Sequence, residues 1–323
     1  MGKCLVTKLN GSSNNSNLLR IGEMRIKFNK VSNPTATTQC VIINVSRDTK
    51  IEIIGDGYFT GSSLAQNNGK NLTITANIAT EVYVSNNDIE LAILDKYAIR
   101  NISIKSNYNG SASFDICSLK YSTPLITLYM TNMPTYGDIS ALKNLTSLTN
   151  FNGNSTNVSG DIANLKNLTS LTNLDGSNTN VSGDIANLKN LTNLNSLRFT
   201  STNVRGDIAN LKNLTKITNM EFKNVTGLTG DMGTLPDNIL FFTGGSGKFT
   251  WTTSSRTYIL ATEKAHCDKI DDMLNDMATK TAKFIGEQAW FKRIELIGTR
   301  TSASDAAVQT LQSKGYTVSI IPA

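Results

Sequence analysis

A single histidine bounds the chemistry open to this 323-residue chain. His266 stands beside Cys267 and three residues after Glu263. A Cys/His dyad or a carboxylate–imidazole metal site would use such neighbours. Neither arrangement is complete. The stretch from Thr262 reads as a helix with an apolar stripe at Ala265, Ile270, Met273, Leu274 and Met277. Adjacent residues on a helix point in different directions. A Glu–His pair at i, i+3 makes a metal site only where several helices supply one. The run Gly244-Gly245-Ser246-Gly247 precedes a strand and reads as a loop, not a phosphate cradle. Cys4, Cys40, Cys117 and Cys267 match no metal or redox spacing; Cys117 reads as a small buried residue, and no disulfide framework is expected. The reading is of no catalytic residue, no metal site and no cofactor.

The carboxylates are more orderly. Asp115, Asp138, Asp161, Asp184 and Asp207 recur every 23 residues, Asp231 follows 24 later, and all but the first come directly after glycine. Calcium needs six to eight oxygens, and one Asp per unit supplies too few. An aspartate there instead caps backbone N–H groups at a helical start. Asp175 and Glu221 form the other candidate pair. On a parallel sheet they would lie two strands apart, roughly 10 Å, with Arg198 between them, a poor match to the facing carboxylates of a polysaccharide-degrading enzyme.

These spacings require an element that repeats. Residues 161–183 read DIANLKNLTSLTNLDGSNTNVSG and residues 184–206 read DIANLKNLTNLNSLRFTSTNVRG. A period of this length with leucines at fixed offsets implies a solenoid with one strand and one short helical turn per repeat. Parallel strands are expected to start near Leu125, Leu148, Leu171, Leu194 and Ile217, in a right-handed solenoid. In the repeat at Leu171, the side chains of Leu171, Leu174, Val181, Leu188 and Leu191 point inward, and Ser182-Gly183-Asp184-Ile185 matches an SGxI pattern. The unit resembles the leucine-rich repeat of bacterial and plant type, consensus LxxLxLxxNxLSGxI, over residues 115–230. Two departures stand out. Thr156, Thr179 and Thr202 replace the usual asparagine. The second strand leucine becomes Met130, Gly153, Gly176, Phe199 and Phe222, which suggests rings packing over space the glycines leave.

The expected architecture is a β-rich α/β solenoid of leucine-rich repeats with an N-terminal all-β unit and a C-terminal β-α-β cap. Four segments follow: an attachment arm at 1–38, an all-β region at 39–114 leading into the solenoid, repeats at 115–230, and a capping α/β segment at 231–323. Short strands are expected at Met24–Phe28, Cys40–Val45, Ile51–Ile54, Leu72–Thr75, Val82–Val84, Leu91–Leu94 and Ile102–Ile104. The cap should hold strands at Lys248–Thr253, Arg293–Ile297 and Tyr316–Ile321, and a helix starting at Ser304 and Asp305.

Variation marks the functional face. ANLKNL recurs three times, whereas the outward strand positions change. The central row runs Tyr129, Asn152, Asp175, Arg198, Glu221, and the row two residues earlier includes Asn150, Asn173 and Asn219. These eight residues are the candidate binding residues. Rows of amide, hydroxyl and aromatic groups suit a surface glycan or a polar protein partner. The net charge is +6, but Lys143, Lys166, Lys189 and Lys212 share one repeat position and read as a solvated ladder, so no nucleic-acid partner is expected. The sequons at Asn144, Asn167, Asn190 and Asn213 likewise read as repeat grammar.

MGKCLVTKLNGSSNN lacks the apolar run of a secretory signal, and no segment reaches the 18 apolar residues of a membrane span. The N-terminal MGKCLVTKLNGSSNNSNLLRIGEMRIKF, the IEIIGDGYFTG segment and the SKGYTVSIIP end resemble virion fibre and surface proteins of bacteriophages infecting gut Bacteroidales, including the crAss-like group. That resemblance implies a structural protein of a phage virion, in head or tail fibre or decoration, docked on virion structural proteins through its N-terminal region. It would be present in several copies on the virion surface and bind a host glycan or protein. A bacterial cell-surface adhesin is the alternative, disfavoured by the missing signal; a polysaccharide-degrading enzyme is a further one.

Overall fold

The computed structural model describes residues 24–28, 38–55, 71–74, 80–85, 89–104, 112–113, 115–132, 134–252, 254–283 and 292–323. The Gly11–Asn17 loop and most of the expected attachment arm lie outside them. The chain divides into two units, 1–160 and 161–323.

In the first unit, five strands form an antiparallel sheet in the order Asn71–Ile74, Thr49–Gly55, Ile89–Ile93, Met24–Phe28, Ala112–Ser113. Met24, Ile26, Ile51, Leu91 and Ile93 bury one face of it completely. Met24–Phe28, within the stretch read as an arm, is thus a sheet strand, paired in register from Met24↔Ile93 to Phe28↔Ile89. A second sheet begins antiparallel, with Thr38–Val45 between Thr80–Ser85 and Ile99–Ile104. It turns parallel where Ile99–Ile104 meets Thr127–Tyr129, which pairs in turn with Asn150–Asn152. The all-β segment therefore passes into the repeats through one sheet.

The second unit shows how a repeat builds a coil. Strand Asn173–Asp175 turns Leu174 inward and its two polar neighbours outward. Thr179 then donates its hydroxyl to the Gly176 carbonyl at 2.5 Å, as Thr202 does to Phe199 at 2.7 Å. The threonine that replaces asparagine is buried and closes the turn within its own coil. A second strand, Asn180–Asp184, has as its penultimate residue Gly183, whose φ of +120° disfavours any side chain. Asp184 accepts the Ala186 amide at 2.8 Å and starts the 3-10 turn Ile185–Leu188. Beyond it, Leu191 N donates to Leu188 O and Leu194 N to Leu191 O, both at 2.9 Å. Apolar residues spaced by three, Ile185, Leu188, Leu191 and Leu194, match a backbone with three residues per turn. All four are fully buried.

The coils stack in parallel register: Leu174↔Leu197, Leu197↔Met220, Met220↔Phe242 and Phe242↔Thr262. The sheet runs on past Gly230 through Phe241–Thr243, Ala261–His266, Arg293–Ile297 and Thr317–Ile321. The second strands also stack, from Asn180–Asp184 to Lys248–Thr250. Strands Arg293–Ile297 and Thr317–Ile321 are parallel and joined by helix Asp305–Ser313, the expected β-α-β end.

One expectation fails here. Residues 261–266 form a strand, and the helix starts only at Ile270 and runs to Ala278. Ala265 belongs to the strand, while Ile270, Met273, Leu274 and Met277 form the buried helical stripe. Sheet pairing with Phe241–Thr243 outweighs the local helical pattern in the first half of the segment. A second correction concerns cysteine: Cys117 is disulfide-bonded, and Cys267 is free and buried.

Candidate functional site

Each aspartate of the ladder has a structural task. The side-chain oxygens of Asp115, Asp138, Asp161, Asp184, Asp207 and Asp231 accept the amide two residues on, at 2.7–2.9 Å. The glycine of the next coil packs against that carboxylate. A Cβ on Gly160 would stand 2.5 Å from Asp138 Oδ1, and Gly183, Gly206 and Gly230 sit equally close to Asp161, Asp184 and Asp207. Among the described residues no group of three His, Cys, Asp or Glu side chains could hold a metal ion.

Glu263 and His266 lie on a strand, not a helix. Glu263 Oε1 is 3.2 Å from Arg293 Nη2 on the next strand. Burial pushes the Cys267 thiol up to about 11, so it stays protonated near neutrality and is a poor nucleophile. Asp276 is equally committed. Burial raises its pKa, but the Ser254 amide, Lys280 and the Trp251 indole bring it below the usual carboxylate range.

The outward strand positions fall where the repeat places them. In the first unit, Tyr129 is 37% exposed, opposite Asn152 on the neighbouring strand, with Asn150 opposite Thr127. In the second unit, Asp175 faces Arg198 and Arg198 faces Glu221, with Asn173, Ser196 and Asn219 aligned beside them. Several of these side chains already have partners. Asn152 Oδ1 accepts the Asn154 amide and Asp175 Oδ1 the Ser177 amide, both at 3.0 Å. Asn219 Nδ2 donates to Glu221 Oε1 at 3.0 Å. Arg198 Nε lies 3.2 Å from the same Oε1, a charge contact outside hydrogen-bond geometry. Glu221 has Arg198 beside it, and Asp175 lies on the strand beyond Arg198, two strands from Glu221.

The ladder lysines Lys143, Lys166, Lys189 and Lys212 are exposed, each just after a 3-10 turn. The sequon residues Asn144, Asn167, Asn190 and Asn213 beside them are exposed too. Among the described residues no helix is long and apolar enough to cross a membrane.

One residue of the outward face escapes sequence reasoning. In strand Ala261–His266 the register slips between Thr262 and Ala265, so Glu263 and Lys264 together oppose one residue of Arg293–Ile297. Lys264 has φ of +49° and is exposed. The helical reading of this stretch hid it. The only available signal was the break in alternation at Glu263-Lys264.

No protein-family model matches the sequence, and no curated protein matches it. Solved structures are similar to it at low identity. The crystal structure of PEPR1–AtPEP1 is 17% identical over 64% of this chain and 26% of that one, with TM-score 0.43. The leucine-rich-repeat ectodomain of the Arabidopsis receptor kinase HAESA, with an extended IDA peptide, is 16% identical over 65% of this chain and 39% of its own, with TM-score 0.42. A plant ice-binding protein is 16% identical over 72% of this chain and 81% of its own, with TM-score 0.38. The chain spans about a quarter of the first of these.

Proposed function

We propose that this chain is a non-enzymatic binding protein that works outside the cell, with the outward strand faces as its recognition surface. The observation that carries the reading is where the coils differ. In the second unit the buried leucines, the Gly–Asp step and the 3-10 turns are near copies from coil to coil. The outward residues Asp175, Arg198 and Glu221 change in size and charge. Solenoids of this kind use such extended faces for binding. Tyr129 of the first unit and Arg198 of the second are of the types most often found as anchors. The Cys117 disulfide supports an oxidising compartment.

The finer reading places the protein on a phage particle, attached through its N-terminal region, with a host-surface glycan or protein as ligand. Net contributions of about 0.5–1.5 kcal/mol per polar contact make several copies per particle the natural route to firm attachment. The test is paired. Tyr129→Ala and Arg198→Ala should lower binding to host cells with nearly unchanged melting, whereas Lys166→Ala and Lys189→Ala should change neither binding nor melting. Loss of binding in the lysine variants alone would move the functional face to the other side. Absence of the protein from purified particles would end the virion reading.

A further inference from the structure

The regular coil pattern breaks in the second unit where the parallel strands Asn219–Glu221 and Phe241–Thr243 end beside strand Ala261–His266. A cleft of about 140 Å³ opens there, lined by Lys223, Thr243, Ser246, Glu263, Lys264 and His266 among others. Two local irregularities shape it. Gly245, at φ +57°, lets the 244–246 loop lie directly on the turn after Lys223, where a Cβ would stand 2.9 Å from the Asn224 and Val225 amides. On the other side, the bulge at Glu263-Lys264 turns Lys264 out of the strand's alternation. Bulges characteristically re-aim side chains next to functional sites, and a lysine held in left-handed backbone is uncommon enough to call for a reason.

The charges around the cleft are unevenly satisfied. Its one carboxylate, Glu263, has Arg293 at 3.2 Å. The nearest acid on the neighbouring outward row, Glu221, has Arg198 at 3.2 Å. Lys223 and Lys264 pair with no carboxylate among the described residues, and both are exposed. Two unpaired lysines, His266, the exposed Ser246 and the largely buried Thr243 therefore line one small opening. Its volume is well below the ~300–1,000 Å³ of a site that encloses a whole ligand. It suits a single group projecting from a longer ligand.

We propose that this cleft binds a carboxylate carried on a sugar ring, as in a uronic acid, so that the glycan held by the strand face is an acidic one. The lysines supply charge, and Ser246 and Asn224, which also lines the cleft and whose Nδ2 donates to Ser201 Oγ at 3.1 Å, supply polar contacts that a ring hydroxyl would meet. This assignment rests on the binding function proposed above and extends it to a substrate class.

The experiment compares binding of the full chain to trigalacturonic acid and to its methyl ester by calorimetry. The acid should bind at least tenfold more tightly, and the preference should shrink as ionic strength rises. Lys223→Gln combined with Lys264→Asn should bring the ratio close to one. Asparagine tolerates left-handed backbone, and melting curves report whether the variant folds. Lys264→Arg should retain the preference, which keeps the test decisive if the double variant is unstable. Equal affinity for acid and ester in the wild type, or an unchanged ratio in a folded double variant, would overturn the proposal. So would tighter binding of an aspartate-rich peptide, or competition by sulfate with no preference for the acidic sugar. If Arg198→Ala and Tyr129→Ala leave acid binding intact while the lysine variants abolish it, the strand-face reading fails and the cleft stands.

Discussion

The ring of Phe199 fills the place where Gly176 has no side chain: a Cβ on Gly176 would stand 2.8 Å from Phe199 Cε1. The two belong to successive coils, and Phe199 is 1% exposed. Gly176→Ala should therefore force the ring aside, destabilising the chain by about 1–3 kcal/mol, and Phe199→Ala should cost about 3–5 kcal/mol. In the double variant the penalties should fall short of additivity, because the added methyl occupies space the ring has left. Urea denaturation measures all three. Full additivity would mean that the ring and the glycine do not compete for the same space.

Loss of a cap should be felt locally and modestly. Asp184→Ala removes the acceptor for the Ala186 amide and should cost about 0.5–2 kcal/mol. Gly206→Ala should be worse, because it adds a methyl group against Asp184 and forces a side chain into φ of +119°. Thermal melts of the two variants would give the order, and an Asp184→Ala penalty above that of Gly206→Ala would contradict the packing described.

Acid should weaken the C-terminal segment through Asp276. Its folded pKa lies below the unfolded value of about 3.9. The stabilisation is therefore complete above the unfolded value and is lost as pH falls through the folded one. Between pH 5 and pH 3 the wild type should lose more stability than Asp276→Asn, which has no proton to take up there. Equal losses would show that the bonds from Ser254, Lys280 and Trp251 do not hold the carboxylate in its charged form.

The cysteines should separate by chemistry. Cys267 should resist iodoacetamide in the native chain and react once it is unfolded, because burial keeps it protonated and covered. Cys117 should be labelled only after reduction, and reduction should lower stability by about 2–4 kcal/mol. Peptide mapping by mass spectrometry reads both. Labelling of native Cys267 would place it on the surface.

The repeat was legible because it is periodic twice over. The 23-residue register places the strands, and the three-residue spacing of Ile185, Leu188, Leu191 and Leu194 places the turns. The Gly–Asp step also announced its cap. The short N-terminal strands were visible in their alternation and turn residues, as at Ile51 and Leu91. What escaped notice depends on contacts distant in sequence. Residues 261–266 are a strand because a sheet edge is there to receive them, and their own pattern continues smoothly into the helix that follows. Cys117 finds a partner that spacing cannot identify. The hydrogen bonds that occupy Asn152 and Asp175 depend on turn geometry, and the cleft beside Lys264 depends on a slip in register that no local motif encodes.

Within the second unit successive coils meet through a recurring set of contacts, a glycine resting on an aspartate and, from Leu174 to Leu197 to Met220, an inward apolar side chain facing its equivalent 23 residues on. Such a joint does not record its position in the series. A duplicated copy of residues 184–206 would find the same Gly–Asp seat above and below, with Phe199 meeting a second phenylalanine in place of Gly176, so in-frame recombination between near-identical repeats can lengthen or shorten the chain with little redesign. Reach and the number of outward-facing positions are therefore heritable by copy number, and a population of related chains should differ in whole coils before it differs in core residues.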